Sequence, residues 1–227
     1  MSNNKSMTNA EHDRVTEAVR AAEAGTAGEI VTIIADSSDH YLDTALWYAA
    51  GAALLTLAFL TAFPGIATCV IETVTGGWVT DVGAMEYFEL ALAVFVLSFA
   101  IVRLILQIPK LRTALTFPRV KSKRVRNRAI DFFKVGAESR TAGRTGILIY
   151  LSLAEHRAEI VADEAIHKQV ANEVWGEAMV DLLRDVREGR VTDGMVAAVR
   201  DVGKILAEYF PRQDVDVNEL PDRLIEL

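Results

Sequence analysis

The chain has 227 residues, a net charge of −7 and a pI near 5.2, and this acidic balance argues against nucleic-acid binding by the chain as a whole. Its single cysteine, Cys69, excludes both an intramolecular disulfide and a cysteine-based metal cage. Apolar residues make up 51% of the sequence. The apolar excess over a soluble domain is concentrated between residues 44 and 108.

The N-terminal region predicts a helix followed by a buried strand. Thr8 and Glu11 form a capping-box pattern, and apolar residues then recur at helical spacing as far as about residue 24. Residues 29–35 (EIVTIIA) are β-branched and apolar on both alternating faces. This pattern is typical of a central strand that is covered on both sides.

Two apolar segments follow, and each is long enough to cross a bilayer. Residues 44–63 contain no formal charge, which meets the length of about 20 residues that one crossing needs. Residues 87–108 form the second predicted span, in which the long side chain of Arg103 either extends along the helix to the interface or is a functional charge within the membrane. Alanines around Ala49 and Ala53 favour close approach of a partner helix.

The distribution of Lys and Arg predicts the orientation of this hairpin. No basic residue occurs between Tyr41 and Val102, whereas eight occur between Lys110 and Arg128. By the positive-inside rule, both termini are cytoplasmic, and the protein is a multi-pass protein of the inner membrane with loop 64–84 outside. That loop is apolar, which indicates an interfacial or partner-contacting segment, or a simple turn lying on the membrane.

The basic run has two interpretations. It follows a predicted span directly and lacks interleaved aromatic residues, which favours contact with anionic lipid headgroups. Nucleic-acid binding is the alternative, and the sequence argues against it. Membrane lipid is therefore the partner that the run predicts.

The remainder of the chain predicts two further strands and three helices. A basic helix spans 118–135, and strands at 146–153 and 157–163 are joined by a link short enough for an antiparallel hairpin. Two amphipathic helices follow: Asn172 is predicted to cap the first, and the second begins at Thr192.

These elements predict one α/β domain that is interrupted by the hairpin. A strand as apolar as 29–35 needs partners, and the available partners lie after the second span. We therefore expect an N-terminal part at 1–40, a transmembrane hairpin at 41–109, and the rest of the same domain at 110–227. Residues 1–40 and 110–227 must then share one side of the membrane.

One acidic constellation is a candidate metal site. Asp36 and Asp39 follow the first strand, and Asp163, Glu164 and His167 follow the third. Carboxylate oxygens suit Ca²⁺ or Mg²⁺, and the two groups converge if the first and third strands run parallel. The alternative is that these are ordinary loop acids and acids at a helix N-terminus. Glu29 is either a ligand-facing acid or the partner of Arg144.

Several segments resemble the TPM domain family. They are residues 26–31 (TAGEIV), 144–149 (RTGILI) and 158–163 (AEIVAD), and the ending 216–222 (DVNELPD) is similar to bacterial members with an internal membrane hairpin. The resemblance implies an α/β/α sandwich with a small mixed central sheet. It also implies a role in maintaining or modulating membrane protein complexes, with weak acid-phosphatase activity and divalent-metal binding in some members.

Taken together, the sequence predicts a non-enzymatic, membrane-anchored accessory protein that binds, stabilises or assists assembly of a membrane protein complex. Self-association in the membrane is a further possibility. The alternative is a divalent-metal-binding domain with weak phosphatase activity. The sequence lacks the nucleotide-binding, nucleophile-elbow and His-Glu-x-x-His motifs that would indicate another enzyme class.

Overall fold

The computed structural model describes residues 7–78, 82–136, 145–212 and 223–227. The chain divides into two compact units, one formed by Met1–Asp39 with Phe117–Leu227 and the other by His40–Thr116. The second of these boundaries lies between residues 116 and 117, seven residues after the end of the predicted hairpin at 109.

The described residues are mostly helical, with a small mixed sheet. The strands are β1 (Glu29–Ala35), β2 (Gly146–Ser152), β3 (Arg157–Ala162) and β4 (Ile225–Glu226). The helices are α1 (Asn9–Glu23), α2 (Leu42–Ala62), α3 (Pro64–Val74), α4 (Ala84–Ile105), α5 (Pro109–Leu115), α6 (Pro118–Gly136), α7 (Glu164–Gln169), α8 (Trp175–Arg187) and α9 (Val191–Tyr209).

The sheet has the strand order β3-β2-β1-β4. β1 pairs with β2 in parallel, from Glu29 opposite Gly146 to Ala35 opposite Ser152. β2 and β3 are antiparallel, as their short link predicts, and β4 adds to β1 in parallel. Strands from both sides of the hairpin insertion therefore form one sheet, which confirms the broad α/β class.

Helices cover both faces of this sheet. Ile30 and Ile34 of β1 belong to a core formed with α1, α8 and α9, whereas Val31, Ile33 and Ala35 belong to a second core formed with α6. The prediction that β1 is a central strand covered on both sides is confirmed, because each face packs against its own helical layer.

The helix ends follow the predicted capping chemistry in part. At the start of α1, the Thr8 hydroxyl accepts a hydrogen bond from the Glu11 N–H, and the Thr8 N–H donates to the Glu11 carboxylate, so the capping box is present. The prediction for α8 was wrong in position. Asn172 begins a short 3₁₀ turn, and α8 begins at Trp175 without a side-chain cap.

The hairpin unit is built from α2 and α4 with α3 between them in the chain. Loop 64–84, predicted as an interfacial segment, contains helix α3, in which Pro64 occupies the first turn. The Thr68 and Tyr87 hydroxyls lie 2.8 Å apart and join α3 to α4. At the other end of the unit, the Tyr48 hydroxyl donates to the Leu115 carbonyl at 3.0 Å.

Candidate functional site

The two predicted groups of acids lie at opposite ends of the strands of the sheet. β2 runs parallel to β1 and antiparallel to β3, so β1 and β3 run in opposite directions. Asp36 and Asp39 follow β1 at one end of the strands, whereas Asp163, Glu164 and His167 follow β3 at the other end. A strand of this length separates the groups by roughly 20 Å. The expectation that the two groups of acids converge is therefore wrong, because it required β1 and β3 to run parallel.

Asp163 has a structural role at its end of the strands. Its carboxylate is buried and accepts a hydrogen bond from the Gly146 N–H at 2.9 Å, while its own N–H donates to the Gly146 carbonyl. This pair of bonds fastens the end of β3 to the start of β2. Glu164 is exposed and pairs with Lys168 at 2.8 Å, and His167 is also exposed.

The acids at the other end are likewise engaged by neighbours. Asp39 forms an ion pair with Arg124 of α6 at 2.8 Å. Asp36 is exposed, and its backbone N–H and carbonyl bond to Leu227 and Ala154. Across the ranges that the structure describes, no group of three or more His, Cys, Asp or Glu side chains is arranged to hold a metal ion. The proposed Glu29–Arg144 pair lies outside the described residues.

A polar cluster that the sequence analysis missed lies where the parallel strands β1 and β2 end. Glu155 is buried, and its two carboxylate oxygens each accept from the Ser38 N–H at 3.3 Å. Its carboxylate also accepts hydrogen bonds from the Ser37 and Ser152 hydroxyls. The Ser38 hydroxyl lies 3.0 Å from the Tyr150 hydroxyl. In the sequence, Glu155 is merely a polar residue in a hairpin link, which gives no signal of this role.

The chemistry of this polar cluster is structural. Burial raises the pKa of Tyr150, an effect that its hydrogen bond to Ser38 opposes and the nearby Glu155 carboxylate reinforces. Ser152 donates to a carboxylate, as an activated nucleophile would, but it is fully buried and cannot reach a substrate. The cluster therefore joins the loop after β1 to the end of β2 by hydrogen bonds.

The hairpin unit exposes an extended apolar surface. α2 and α4 are each long and apolar enough to cross a membrane, by length and composition. None of the 22 residues of α4 is buried. Large apolar side chains project from both helices, including Trp47, Leu55, Phe88, Leu92 and Leu104. A water-soluble unit rarely exposes so extended an apolar surface.

The small-residue face of α2 is used inside the hairpin unit. Ala45, Ala49 and Ala53 recur at a spacing of four residues and are all fully buried. Small side chains at this spacing allow close helix packing. The expectation that Ala49 and Ala53 receive a partner helix is therefore corrected, because the hairpin unit already covers them.

Comparisons with known proteins bear on the fold alone. No protein-family model matches the sequence, and no curated protein matches it. Among solved structures, the chain is similar to the NMR structure of the BA42 protein from the psychrophilic bacterium Bizionia argentinensis. The two share 18% sequence identity with a TM-score of 0.57, and the match covers 100% of each chain. At this identity, the likeness concerns the fold and carries no conclusion about activity.

Proposed function

We propose that this chain is a membrane-anchored accessory protein that binds, stabilises or assists assembly of a membrane protein complex. The observation that supports this most strongly is α4, a 22-residue apolar helix without a single buried residue. A bilayer about 30 Å thick would solvate such a helix, whereas water would not. α2 is similar in length, at 21 residues, and also exposes large apolar side chains.

The finer architecture is part of the same proposal. The soluble unit is an α/β/α sandwich of the TPM type, and α2 with α4 is a transmembrane hairpin inserted between β1 and β2. Because β1 and β2 are hydrogen-bonded neighbours, the chain must leave and re-enter the same side of the membrane. Two crossings satisfy that requirement. The basic residues after α4 favour the cytoplasmic side for the domain.

An accessory role fits the domain better than an enzymatic one. The competing proposal, a divalent-metal-dependent phosphatase, needs acids from β1 and β3 to meet. Asp36 and Asp163 instead lie at opposite ends of the strands, and the Asp163 carboxylate accepts a hydrogen bond from the Gly146 N–H. The TPM resemblance also implies work on membrane complexes, which an anchored domain can carry out by presenting a binding surface.

Cys69 provides a direct test of the membrane topology, because it is the only cysteine and it is exposed in α3. We expect a membrane-impermeant maleimide to label Cys69 in intact cells or spheroplasts. In a Cys69→Ser background, Asn127→Cys on the exposed side of α6 should react only after the membrane is permeabilised. Labelling of the Asn127→Cys variant from outside would contradict the proposed orientation. Release of the chain from membranes by alkaline carbonate would contradict the anchor itself.

The accessory role is tested by native mass spectrometry of the protein extracted from its own membrane in mild detergent. We expect a stable heteromeric assembly. Repeated isolation of a monomer would contradict the role, and a homo-oligomer would replace the foreign partner with a second copy. A monomer that loses the mass of one divalent ion on chelation would support the phosphatase proposal instead.

A further inference from the structure

Six of the seven basic residues of α6 fall into two groups that the sequence does not distinguish, and the seventh, Lys134, lies in the last turn. In the C-terminal group, each side chain interacts with the domain itself. Arg124 pairs with Asp39 at 2.8 Å, Arg126 lies 3.7 Å from Glu159, and the Arg128 guanidinium lies 4.6 Å above the ring of Phe132. Arg124 and Arg126 thereby connect α6 to the loop after β1 and to β3, whereas the Arg128 contact lies within α6 itself.

The second group lies in the first two turns of α6 and consists of Arg119, Lys121 and Lys123. Arg119 and Lys123 are exposed, and Lys121 is half-buried. Within the part of the chain that the structure describes, no carboxylate lies within ion-pair distance of any of these three. Phe117, directly before the helix, is 67% exposed.

The stability of the domain does not explain this second group. The N-terminus of a helix carries a partial positive charge, so cations in its first turns are repelled and acids are preferred there. α6 has no acid in its first turn. No Asp or Glu occurs between Leu90 and Ile130, so the local field is uniformly positive. A surface of this kind complements an anion supplied from outside the domain.

The neighbouring sequence decides the source of that anion. α6 begins shortly after α4 ends, so its first turns cannot be far from the membrane if α4 spans it. The whole chain carries a charge of −7, which disfavours a long polyanion such as RNA. Lipid phosphates are by contrast concentrated at the surface where the span ends.

We propose that Phe117, Arg119, Lys121 and Lys123 form a binding surface for the phosphate headgroups of anionic phospholipids. This inference rests on the proposed membrane anchor. The three cations contact headgroup phosphates, and the Phe117 ring enters the headgroup layer, where aromatic side chains are favoured. Arg124, Arg126 and Arg128 keep their contacts with Asp39, Glu159 and Phe132 of the domain.

Lysine acylation of the full chain in nanodiscs tests the proposal, with phosphatidylcholine alone compared with a mixture containing phosphatidylglycerol. We expect Lys121 and Lys123 to react several-fold more slowly in the anionic discs, with the difference abolished by high salt. Lys168 and Lys204, whose side chains are exposed on α7 and α9, are internal controls and should react equally in both discs. Equal reactivity of all four lysines would overturn the proposal.

A matched pair of variants separates the two groups of cations. Native mass spectrometry from mixed micelles counts the phosphatidylglycerol molecules that the protein retains. The triple variant Arg119→Gln, Lys121→Gln, Lys123→Gln should weaken this retention about 100-fold, since each basic residue contributes a factor of about five. Lys168→Gln with Lys204→Gln should leave it unchanged. Equal retention by both variants would overturn the proposal.

Failure of this inference can be distinguished from failure of the membrane anchor. If the chain enters the discs but its lysines do not distinguish the two lipids, the anchor stands and the headgroup surface does not exist. If the chain does not enter discs of either composition, the anchor itself fails. Protection of Lys121 and Lys123 by added RNA, and not by phosphatidylglycerol, would assign the surface to nucleic acid and overturn the proposal.

Discussion

Gly203 of α9 lies directly against Ala22 of α1. A Cβ added at Gly203 would lie 2.6 Å from the Ala22 Cβ and 3.2 Å from its Cα. The 2.6 Å distance is sterically excluded, and the neighbour is the short side chain and backbone of another helix, which has no flexible end to move aside. Glycine at this position therefore allows α1 and α9 to pack closely over one face of the sheet.

This contact predicts that Gly203→Ala is destabilising, although alanine is the better helix former. We expect a loss of about 1–3 kcal/mol in the free energy of unfolding, because overpacking outweighs a propensity gain of about 1 kcal/mol. Gly176→Ala in α8 is the matched control, since its added Cβ meets nothing within 4 Å. Urea unfolding in mild detergent should show the control to be as stable as the wild type or more stable.

Two buried threonines should respond in opposite directions to the same substitution. The Thr32 hydroxyl is buried in the centre of β1, and no partner is found for it among the described residues. Thr32→Val should therefore stabilise the domain by roughly 1 kcal/mol. The Thr26 hydroxyl donates to the Phe210 carbonyl and accepts from the Gly28 N–H. Thr26→Val should cost about 1–3 kcal/mol in the same unfolding assay.

The central role of Glu155 in the polar cluster predicts a large effect of its removal. Glu155→Ala leaves the Ser38 N–H and the buried Ser152 hydroxyl without their acceptor, so we expect a loss of roughly 2–3 kcal/mol. Glu164→Ala is the control, because an exposed ion pair with Lys168 contributes little and should change stability by less than about 0.5 kcal/mol. Similar effects of the two substitutions in thermal unfolding would contradict this account.

Burial of Tyr150 predicts a specific loss of stability at high pH. Because burial raises the pKa of Tyr150 above the ordinary value of 10.0, the folded domain favours the neutral phenol. The resulting stability is complete below about pH 10 and is lost as the pH rises through the folded-state pKa. The free energy of unfolding of Tyr150→Phe should therefore decline less steeply above pH 10 than that of the wild type. Tyr209→Phe, at a half-exposed position, should retain the wild-type decline.

The buried alanine face of α2 predicts how the hairpin unit responds to larger side chains. Ala49 is fully buried, so Ala49→Leu should disturb helix packing and lower stability by about 1–3 kcal/mol. Ala58, which is exposed on α2, is the size-matched control, and Ala58→Leu should be tolerated. Thermal unfolding of the purified protein in detergent compares the two. Equal tolerance would mean that Ala49 does not lie at a packed interface.

Features encoded by neighbouring residues could be predicted from the sequence. Thr8 and Glu11 lie within one helical turn, so the capping box and the start of α1 follow from local chemistry alone. The continuous apolar run of β1 likewise predicted a strand covered on both faces. The length of the two apolar segments was sufficient to predict helices α2 and α4, although their observed bounds begin two or three residues earlier.

Features that depend on distant pairing were decided only by the tertiary structure. The parallel register of β1 with β2 joins residues more than a hundred positions apart, and no local pattern specifies the direction of such a pair. That direction, with the antiparallel β2–β3 hairpin, separates Asp36 from Asp163. It also brings Ser38 to Glu155, whose role the sequence does not reveal.

The basic helix shows the same division. Composition alone determined that α6 is strongly cationic and that it follows a long apolar segment. Which cations are used internally depends on Asp39 and Glu159, which the sheet places next to α6. The sequence by itself thus determined the helices, the strands and the apolar hairpin, because these follow from short-range periodicity. The tertiary structure decided which charges and hydroxyls meet, because those contacts depend on strand direction and helix placement.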